Sequence, residues 1–367
     1  MKEIIEKNFP VDALGCMCGT SMDGLDLALI QTDGEKIYSF GKSSFKAFSE
    51  SEKKMLRGCL GRWPGDKLVS KASDLITEIH IDEIKKFKAD LIGFHGQTIA
   101  HDPENRRTHQ IGSGDQVSSA VKLPTVWDFR TADVKNGGQG APLTPFFHFA
   151  CAKYLGIDEV VAFLNLGGVG NITIVDTSFE SPELDGALLA FDTGPANGPI
   201  DDLMFENLKK HYDLDGNLAS LGTISESLIS EFLSDNYFSI EPPKSLDRNS
   251  FRHFQSLLRE LSLVDAVATA TAACVTSVAL GINQLPNKPT KILVSGGGRK
   301  NKTLMKGLKT NLESEVSDID DYGMDGDMLE AQAFGFLAVR VLRGLQTSSI
   351  RTTGVQNRVC GGIVSYP

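Results

Sequence analysis

Apolar and polar positions along the chain fall into two regimes, one of period two and one of helical period. Ala13–Met17 is an apolar run that breaks into Cys18-Gly19-Thr20-Ser21-Met22-Asp23-Gly24 and resumes as Leu25-Asp26-Leu27-Ala28-Leu29-Ile30. Val160–Leu164 behaves in the same way. It breaks into Asn165-Leu166-Gly167-Gly168-Val169-Gly170-Asn171 and resumes as Ile172-Thr173-Ile174-Val175. Each stretch predicts a strand, a turn of glycine and small polar residues, and a second strand. One such unit early in each half predicts a duplicated architecture.

Elsewhere the period lengthens. Ser51–Leu60 and Leu68–Phe87 read as helices, the second with Leu68, Ala72, Leu75 and Ile79 on one face. Asp90–Phe94 and Pro124–Phe129 read as strands, followed by His95-Gly96-Gln97-Thr98 and by Arg130-Thr131-Ala132-Asp133. Lys291–Val294 is a strand ahead of Ser295-Gly296-Gly297-Gly298, and a helix from Lys302 carries Leu304, Leu308 and Leu312 on one side. Asp327–Leu342 reads as a buried helix. So does Val264–Ile282, whose Ala, Thr, Val and single Asp265 suit a protein core better than lipid. Strands alternating with helices predict an α/β fold, and the hairpins predict mixed sheets. The glycine-rich Asn136–Pro142 is the expected junction between an N-terminal lobe, 1–135, and a C-terminal lobe, 136–342, with 343–367 rejoining the first.

Composition narrows the classes. Of 367 residues, 41% are hydrophobic and 23% charged, which is globular usage. A balance of 37 basic against 47 acidic residues, net −10, argues against the broad positive field a nucleic-acid partner requires. Six dispersed cysteines without a CxxC pair predict free thiols in a reducing compartment. Met1–Pro10 has no apolar stretch of the secretory kind. A cytoplasmic protein with no membrane partner is expected.

Five places carry candidate chemistry, each with a plainer alternative. The turn Cys18–Gly24 gathers backbone N–H groups and two hydroxyls as a phosphate cradle would, or is a tight hairpin needing glycine for positive φ. Asp23 and Asp26 add the carboxylates that hold Mg²⁺ directly or through water. Asn165–Asn171 offers the same two readings. In Phe191-Asp192-Thr193-Gly194-Pro195-Ala196-Asn197, ahead of a helix with Ile200, Leu203, Met204 and Leu208 on its buried face, Asp192 is either a general base or a carboxylate satisfying the helix start. Asn197 can cap that helix. Gly296, Gly297 and Gly298 at a strand end permit a flat ring to approach the backbone, while Asn301 also suits a helix cap. Asp327 and Glu330 have capping-box spacing, or Glu330 meets a sugar hydroxyl. GxxxxGK[ST] and the protein-kinase signatures are absent.

Taken in order, Cys18–Asp26, His95–Thr98, Gly137-Gly138-Gln139-Gly140-Ala141-Pro142, Asn165–Gly168, Phe191–Pro195 and Asp325-Gly326-Asp327 resemble the anhydro-N-acetylmuramic acid kinases over nearly the whole chain. The resemblance implies the actin, hexokinase and heat-shock ATPase fold, with two related lobes around an ATP cleft. It implies use of ATP with Mg²⁺ and water to convert 1,6-anhydro-N-acetylmuramic acid into N-acetylmuramic acid 6-phosphate during murein recycling. It assigns Gly19, Thr20, Ser21, Met22, Asp23, Gly24 and Asp26 to a first phosphate loop, with Asp23 toward the metal. Asn165, Gly167, Gly168 and Asn171 fall in a second phosphate loop, with Gly194 also facing the nucleotide, and Gly296, Gly297, Gly298 and Asn301 in an adenosine loop. Asp192 is implied as the catalytic base, and Thr98, Arg130 and Glu330 as sugar contacts. The chain departs from the family pattern at Cys16 and Cys18, at Leu246-Asp247 and at Arg299-Lys300. A kinase of the same fold acting on another anhydro sugar, such as levoglucosan, is the alternative, and an actin-like assembly ATPase is the rival of another class. A homodimer is among the assemblies the sequence permits.

Overall fold

The computed structural model describes residues 9–19, 21–246 and 250–367. The chain divides into two compact units, Met1–Gly156 with Met328–Pro367, and Ile157–Asp327. The expected junction at 135 therefore falls inside the first unit, as do 136–156 and 328–342, which had been expected in the second.

In chain order the first unit begins with β1 (Val11–Cys18), β2 (Gly24–Thr32) and β3 (Ile37–Ala47), then α1 (Glu50–Gly58) and α2 (Lys67–Ile84). It continues with β4 (Leu91–Asp102), β5 (Arg107–Ile111), α3 (Gly114–Val121), β6 (Thr125–Trp127), α4 (Thr131–Lys135) and α5 (Pro145–Tyr154). The second unit holds β7 (Val160–Leu166), β8 (Val169–Asp176), β9 (Leu188–Pro195), α6 (Asn197–Leu208), α7 (Glu226–Leu233), α8 (Arg252–Leu258) and α9 (Leu263–Asn283). It ends with β10 (Lys291–Ser295), α10 (Lys302–Asn311) and β11 (Glu315–Asp318), after which α11 (Leu329–Leu342) and β12 (Ile363–Ser365) return to the first.

Both sheets are mixed and share one plan. In the first, β3-β2-β1 is an antiparallel meander, β4 and β6 join parallel, and β12 and β5 add antiparallel strands. In the second, β9-β8-β7 is the meander and β10 and β11 join parallel. The two hairpins seen as repeats in the sequence are thus the β1–β2 and β7–β8 corners of equivalent sheets.

Helices cover the sheets through apolar faces. α1 opens with a capping box, Ser49 to Glu52, and α2 with Asp66 accepting from the Leu68 amide. Both pack in a core with Leu14, Leu25, Leu27 and Phe94. On the other face α11 lies against β1, β2 and β4, and two glycines permit its close approach. A Cβ on Gly15 would lie 1.7 Å from the Ala331 carbonyl oxygen, and one on Gly93 would lie 2.2 Å from that of Phe334. This backbone contact places 328–342 in the first unit, and no local periodicity announces it. α9 is long and apolar enough to span a membrane, but 61% of its apolar window is buried inside the protein, as a core helix requires.

Candidate active site

In the first unit the β1–β2 turn is closed by the Met22 amide donating to the Gly19 carbonyl (3.1 Å). Met22 takes a left-handed φ of 58°. Its side chain is 1% exposed and packs into the core beside Cys18 and Leu25. The Met22 side chain is thus an anchor in the core, and its backbone is the part that belongs to the turn. Gly24 is also accounted for by packing, since a Cβ there would meet the Lys46 carbonyl at 2.4 Å. At Gly19 the space is open among the described residues, the nearest atom to such a Cβ being Ser21 Oγ at 3.6 Å. Ser21 and Asp23 are exposed, Gly19 and Asp26 half-buried. Thr20 lies outside the described residues.

His95–Thr98 lies inside β4, where a strand end had been expected. The strand runs on because β5 pairs with this segment, Gln97 opposite Ile111 and Thr98 opposite Gln110. Gln97 Nε2 donates to the Gly19 carbonyl (3.2 Å), tying β4 to the turn. Thr98 is half-buried and its Oγ1 accepts from Gln110 Nε2 (3.2 Å). Half-buried Arg130, just before α4, donates from Nε to His95 Nε2 (3.0 Å) and from Nη1 to the Gly140 carbonyl (2.7 Å). Glu330, exposed on the first turn of α11, is the charge that acts most strongly on Arg130, followed by Asp133.

In the second unit the register draws a polar row across four strands. Ser295 of β10 pairs with Asn165 of β7, Asn165 with Asn171 of β8, and Asn171 with Asp192 of β9. Cross-strand partners share a face, so these side chains stand in line at the hairpin end of the sheet. Asp192 lies within strand β9 and not at the start of the following helix. Gly170 pairs with Gly194 and Asn171 with Asp192, so Thr193 is the extra residue of a β-bulge, a device that re-aims the neighbouring side chain.

Asp192 is held on three sides. Its amide donates to the Lys244 carbonyl (2.9 Å), its carbonyl accepts from Tyr237 Oη (2.5 Å), and Oδ2 accepts from the Leu246 amide (2.7 Å). No donor among the described residues reaches Oδ1. Burial pushes the carboxyl up from 3.8 to about 7, the Leu246 amide opposing. A carboxylate so poised can take a proton near neutrality.

The Gly167-Gly168 turn is pinned to the start of α6, whose Asn197 and Gly198 amides donate to the Gly167 and Gly168 carbonyls (2.9 and 3.0 Å). Asn197 Nδ2 donates to the Leu166 carbonyl (2.8 Å), so Asn197 does not cap the helix; Ala196 holds the N-cap position without a side-chain bond. Gly194 is buried against α9, where a Cβ would meet Ser277 Oγ at 2.5 Å, so packing alone requires glycine at this position. Gly296, at φ 75°, and Gly298 press on β7: a Cβ on the first would lie 2.3 Å from Asn165 Oδ1, and on the second 2.5 Å from Leu166 Cβ. Gly297 alone has room, Asn197 Nδ2 lying 3.8 Å away. Asn301 Oδ1 accepts from the Leu304 amide (3.0 Å), so its side chain caps α10.

The family model described as anhydro-N-acetylmuramic acid kinase matches residues 12–367. The chain belongs to the anhydro-N-acetylmuramic acid kinase family. A curated relative of that name from Ruegeria sp. is 50% identical over 100% of this chain and 98% of its own length. Another, from Cereibacter sphaeroides, is 51% identical over 98% of each. Among solved structures, the activator of the 2-hydroxyisocaproyl-CoA dehydratase from Clostridium difficile with bound ADPNP aligns over 91% of this chain and 96% of its own. Its 11% identity and TM-score of 0.42 are too distant to carry an inference.

In this member of the anhydro-N-acetylmuramic acid kinase family, several supporting residues had no assigned role in the sequence reading. Tyr237, Lys244 and Leu246 reach Asp192 across 45 to 54 residues of chain, two of them through main-chain atoms. Arg299, 5% exposed, pairs with Asp327 (2.7 Å), Asp320 (3.1 Å) and Asp318 (3.3 Å). The Arg299 hydrogen bond is the main reason that the Asp327 carboxyl falls to about 2. Asp327 is therefore the partner of Arg299, and the expected capping box is corrected: α11 begins at Leu329 with Met328 at its N-cap. The Arg299-Lys300 departure from the family pattern was the available clue.

Proposed function

We propose that this chain transfers the γ-phosphoryl group of ATP to O6 of 1,6-anhydro-N-acetylmuramic acid while water opens the anhydro bridge. The observation that carries the reading is Asp192: a bulge-aimed carboxylate, anchored through Oδ2, with Oδ1 reached by no donor among the described residues and an ionisation range near neutrality. The bridge is an internal acetal, so its cleavage is a glycosidic hydrolysis. Water attacks C1 from the face opposite O6 and gives its proton to Asp192 Oδ1. The C1–O6 bond breaks, its electron pair stays on O6, and O6 takes the phosphoryl group as ADP leaves. Attack from that face inverts C1.

The open space at Gly19 and the exposed Ser21 and Asp23 support the β1–β2 turn as a phosphate loop. Asn171 in the polar row and the Gly167-Gly168 turn support a second loop, and the room at Gly297 supports an adenosine contact. Arg130, Thr98 and Glu330 are the proposed sugar contacts. No group of three metal-ligating side chains occurs among the described residues. Asp23 fits Mg²⁺ as an exposed hard oxygen donor of the kind that serves together with substrate phosphates. Bound there, Mg²⁺ would spread the charge of the transferring phosphoryl group. The free thiols of all six cysteines suit a cytoplasmic setting.

The test is a coupled ADP-release assay over a panel of anhydro and ordinary amino sugars, with mass spectrometry of the product. The expected result is ADP release that depends on the anhydro muramic sugar and a product heavier by one phosphoryl group (HPO3) and one water. Turnover with levoglucosan alone would reassign the substrate. ADP release without sugar, rising with protein concentration, would replace the reading by an assembly ATPase.

A further inference from the structure

Arg130 is the only guanidinium among the proposed sugar contacts, and a long flexible side chain binds well only if something fixes it beforehand. Two groups do so in the first unit. Gly140 offers a carbonyl to Nη1, and that carbonyl is itself fixed, because the Gly140 amide donates to Asp133 Oδ1 (2.7 Å). Asp133 is fully buried and further accepts from Ser348 Oγ (2.5 Å) and Thr353 Oγ1 (2.6 Å). The Gly137–Gly140 stretch of the glycine-rich motif thus has a structural purpose: it folds over Asp133 and delivers one acceptor to Arg130.

The second group is His95, 3% exposed in β4 and packed against the Phe334 ring at 4.5 Å. Its two nitrogens have opposite partners. Nδ1 lies 2.8 Å from the Gly96 carbonyl, which can only accept, so Nδ1 carries the hydrogen. Nε2 lies 3.0 Å from Arg130 Nε, which can only donate, so Nε2 carries the lone pair. The imidazole is therefore the neutral Nδ1–H tautomer, the form an arginine neighbour and a buried site both favour. Arg130 Nη2 is bonded to no acceptor among the described residues.

We propose that His95 is a positioning residue of the sugar site, its unprotonated Nε2 receiving Arg130 Nε so that the Nη2 edge of the guanidinium is presented to an acceptor group of the sugar. This rests on the reading that Arg130 contacts the sugar. Without His95 the guanidinium keeps one anchor and must be ordered by the substrate. The cost of ordering one such side chain corresponds to a KM for the sugar raised about three- to ten-fold, with the KM for ATP unchanged.

The experiment is a double-mutant cycle in the full chain, with melting temperature as the folding control. His95→Leu should raise the sugar KM as stated, and in an Arg130→Ala background it should add less than about two-fold, because His95 acts through Arg130. An equal further loss in that background would overturn the proposal. His95→Gln places a side-chain acceptor near the Nε2 position and should restore the wild-type sugar KM. If His95→Leu fails to fold, His95→Gln decides alone: a wild-type KM supports the proposal and a raised one, with intact melting, overturns it. Nitrogen-15 spectra of histidine-labelled protein give a readout free of turnover. His95 should show a protonated Nδ1 and an unprotonated Nε2, and the reverse pattern would overturn the proposal. If wild-type protein shows no turnover of anhydro sugar, the proposed function fails while the spectra still judge the clamp.

Discussion

Replacing Asp192 by Asn removes the charge and keeps the shape, and the structure sets opposite expectations for stability and for turnover. Burial raises the carboxyl from 3.8 to about 7 in the folded protein. At about 1.4 kcal/mol per unit, keeping the group ionised costs the fold roughly 4 kcal/mol, an upper bound because the residue is half-buried. A raised acid pKa means that the folded state holds the proton more tightly than the unfolded chain. The penalty is therefore absent below the unfolded pKa of about 4 and complete above about 7. The Asn variant should melt close to wild type near pH 4 and progressively above it as the pH rises to about 8. Wild-type kcat/KM should climb over the upper part of that interval and level off above about pH 7 as the base ionises. The Asn variant should lose on the order of 10²–10⁴-fold in turnover, the share a positioned base contributes. Scanning fluorimetry across pH and coupled ADP release with the anhydro sugar measure the two sides. A melting difference that does not change with pH would refute the burial argument, and turnover within about ten-fold of wild type would remove Asp192 from its role.

Arg130→Lys keeps charge but loses the fork that meets His95 and Gly140 together; the sugar KM should rise about ten-fold or more with little change in the ATP KM, as steady-state kinetics would show. Gly297→Ala adds a methyl where the nearest atom is 3.8 Å away, whereas at Gly296 the same change meets Asn165 Oδ1 at 2.3 Å with φ at 75°. Gly296→Ala should lower the melting temperature by the equivalent of about 1–3 kcal/mol, and Gly297→Ala should leave melting alone while weakening nucleotide binding in titration calorimetry. Asn301→Ala should cost about 1 kcal/mol through loss of the α10 cap and leave the ATP KM unchanged; a large rise in that KM would place Asn301 in the nucleotide site.

Much of the architecture was readable because it is local. Period-two runs on either side of Gly19 and Gly167 announce hairpins, and the apolar spacing of Leu68, Ala72 and Ile79 announces α2. What could not be read is what depends on partners distant in sequence. Met22 looks like a turn residue open to a ligand until the core beneath it is known. Gly194, Gly296 and Gly298 look alike as ligand glycines, yet each is required by an atom from another element. Asp327 has the spacing of a capping residue, but Arg299, 28 positions earlier, holds it. His95–Thr98 looked like a strand end because the segment that prolongs β4, Arg107–Ile111, is short and polar. The base itself was legible as a residue, while the bulge at Thr193 that aims it was not.

The way α11 rests on Gly15 and Gly93 has a consequence for the order in which the molecule is made. The ribosome delivers β1 and β4 long before residues 328–342 emerge, so one face of that sheet stays uncovered throughout synthesis of Ile157–Asp327. The inserted unit is contiguous and can fold as it appears, whereas its host is completed only by the last forty residues. A chain released early would thus carry a finished insert beside a half-clad sheet, and such products should be the ones that aggregate.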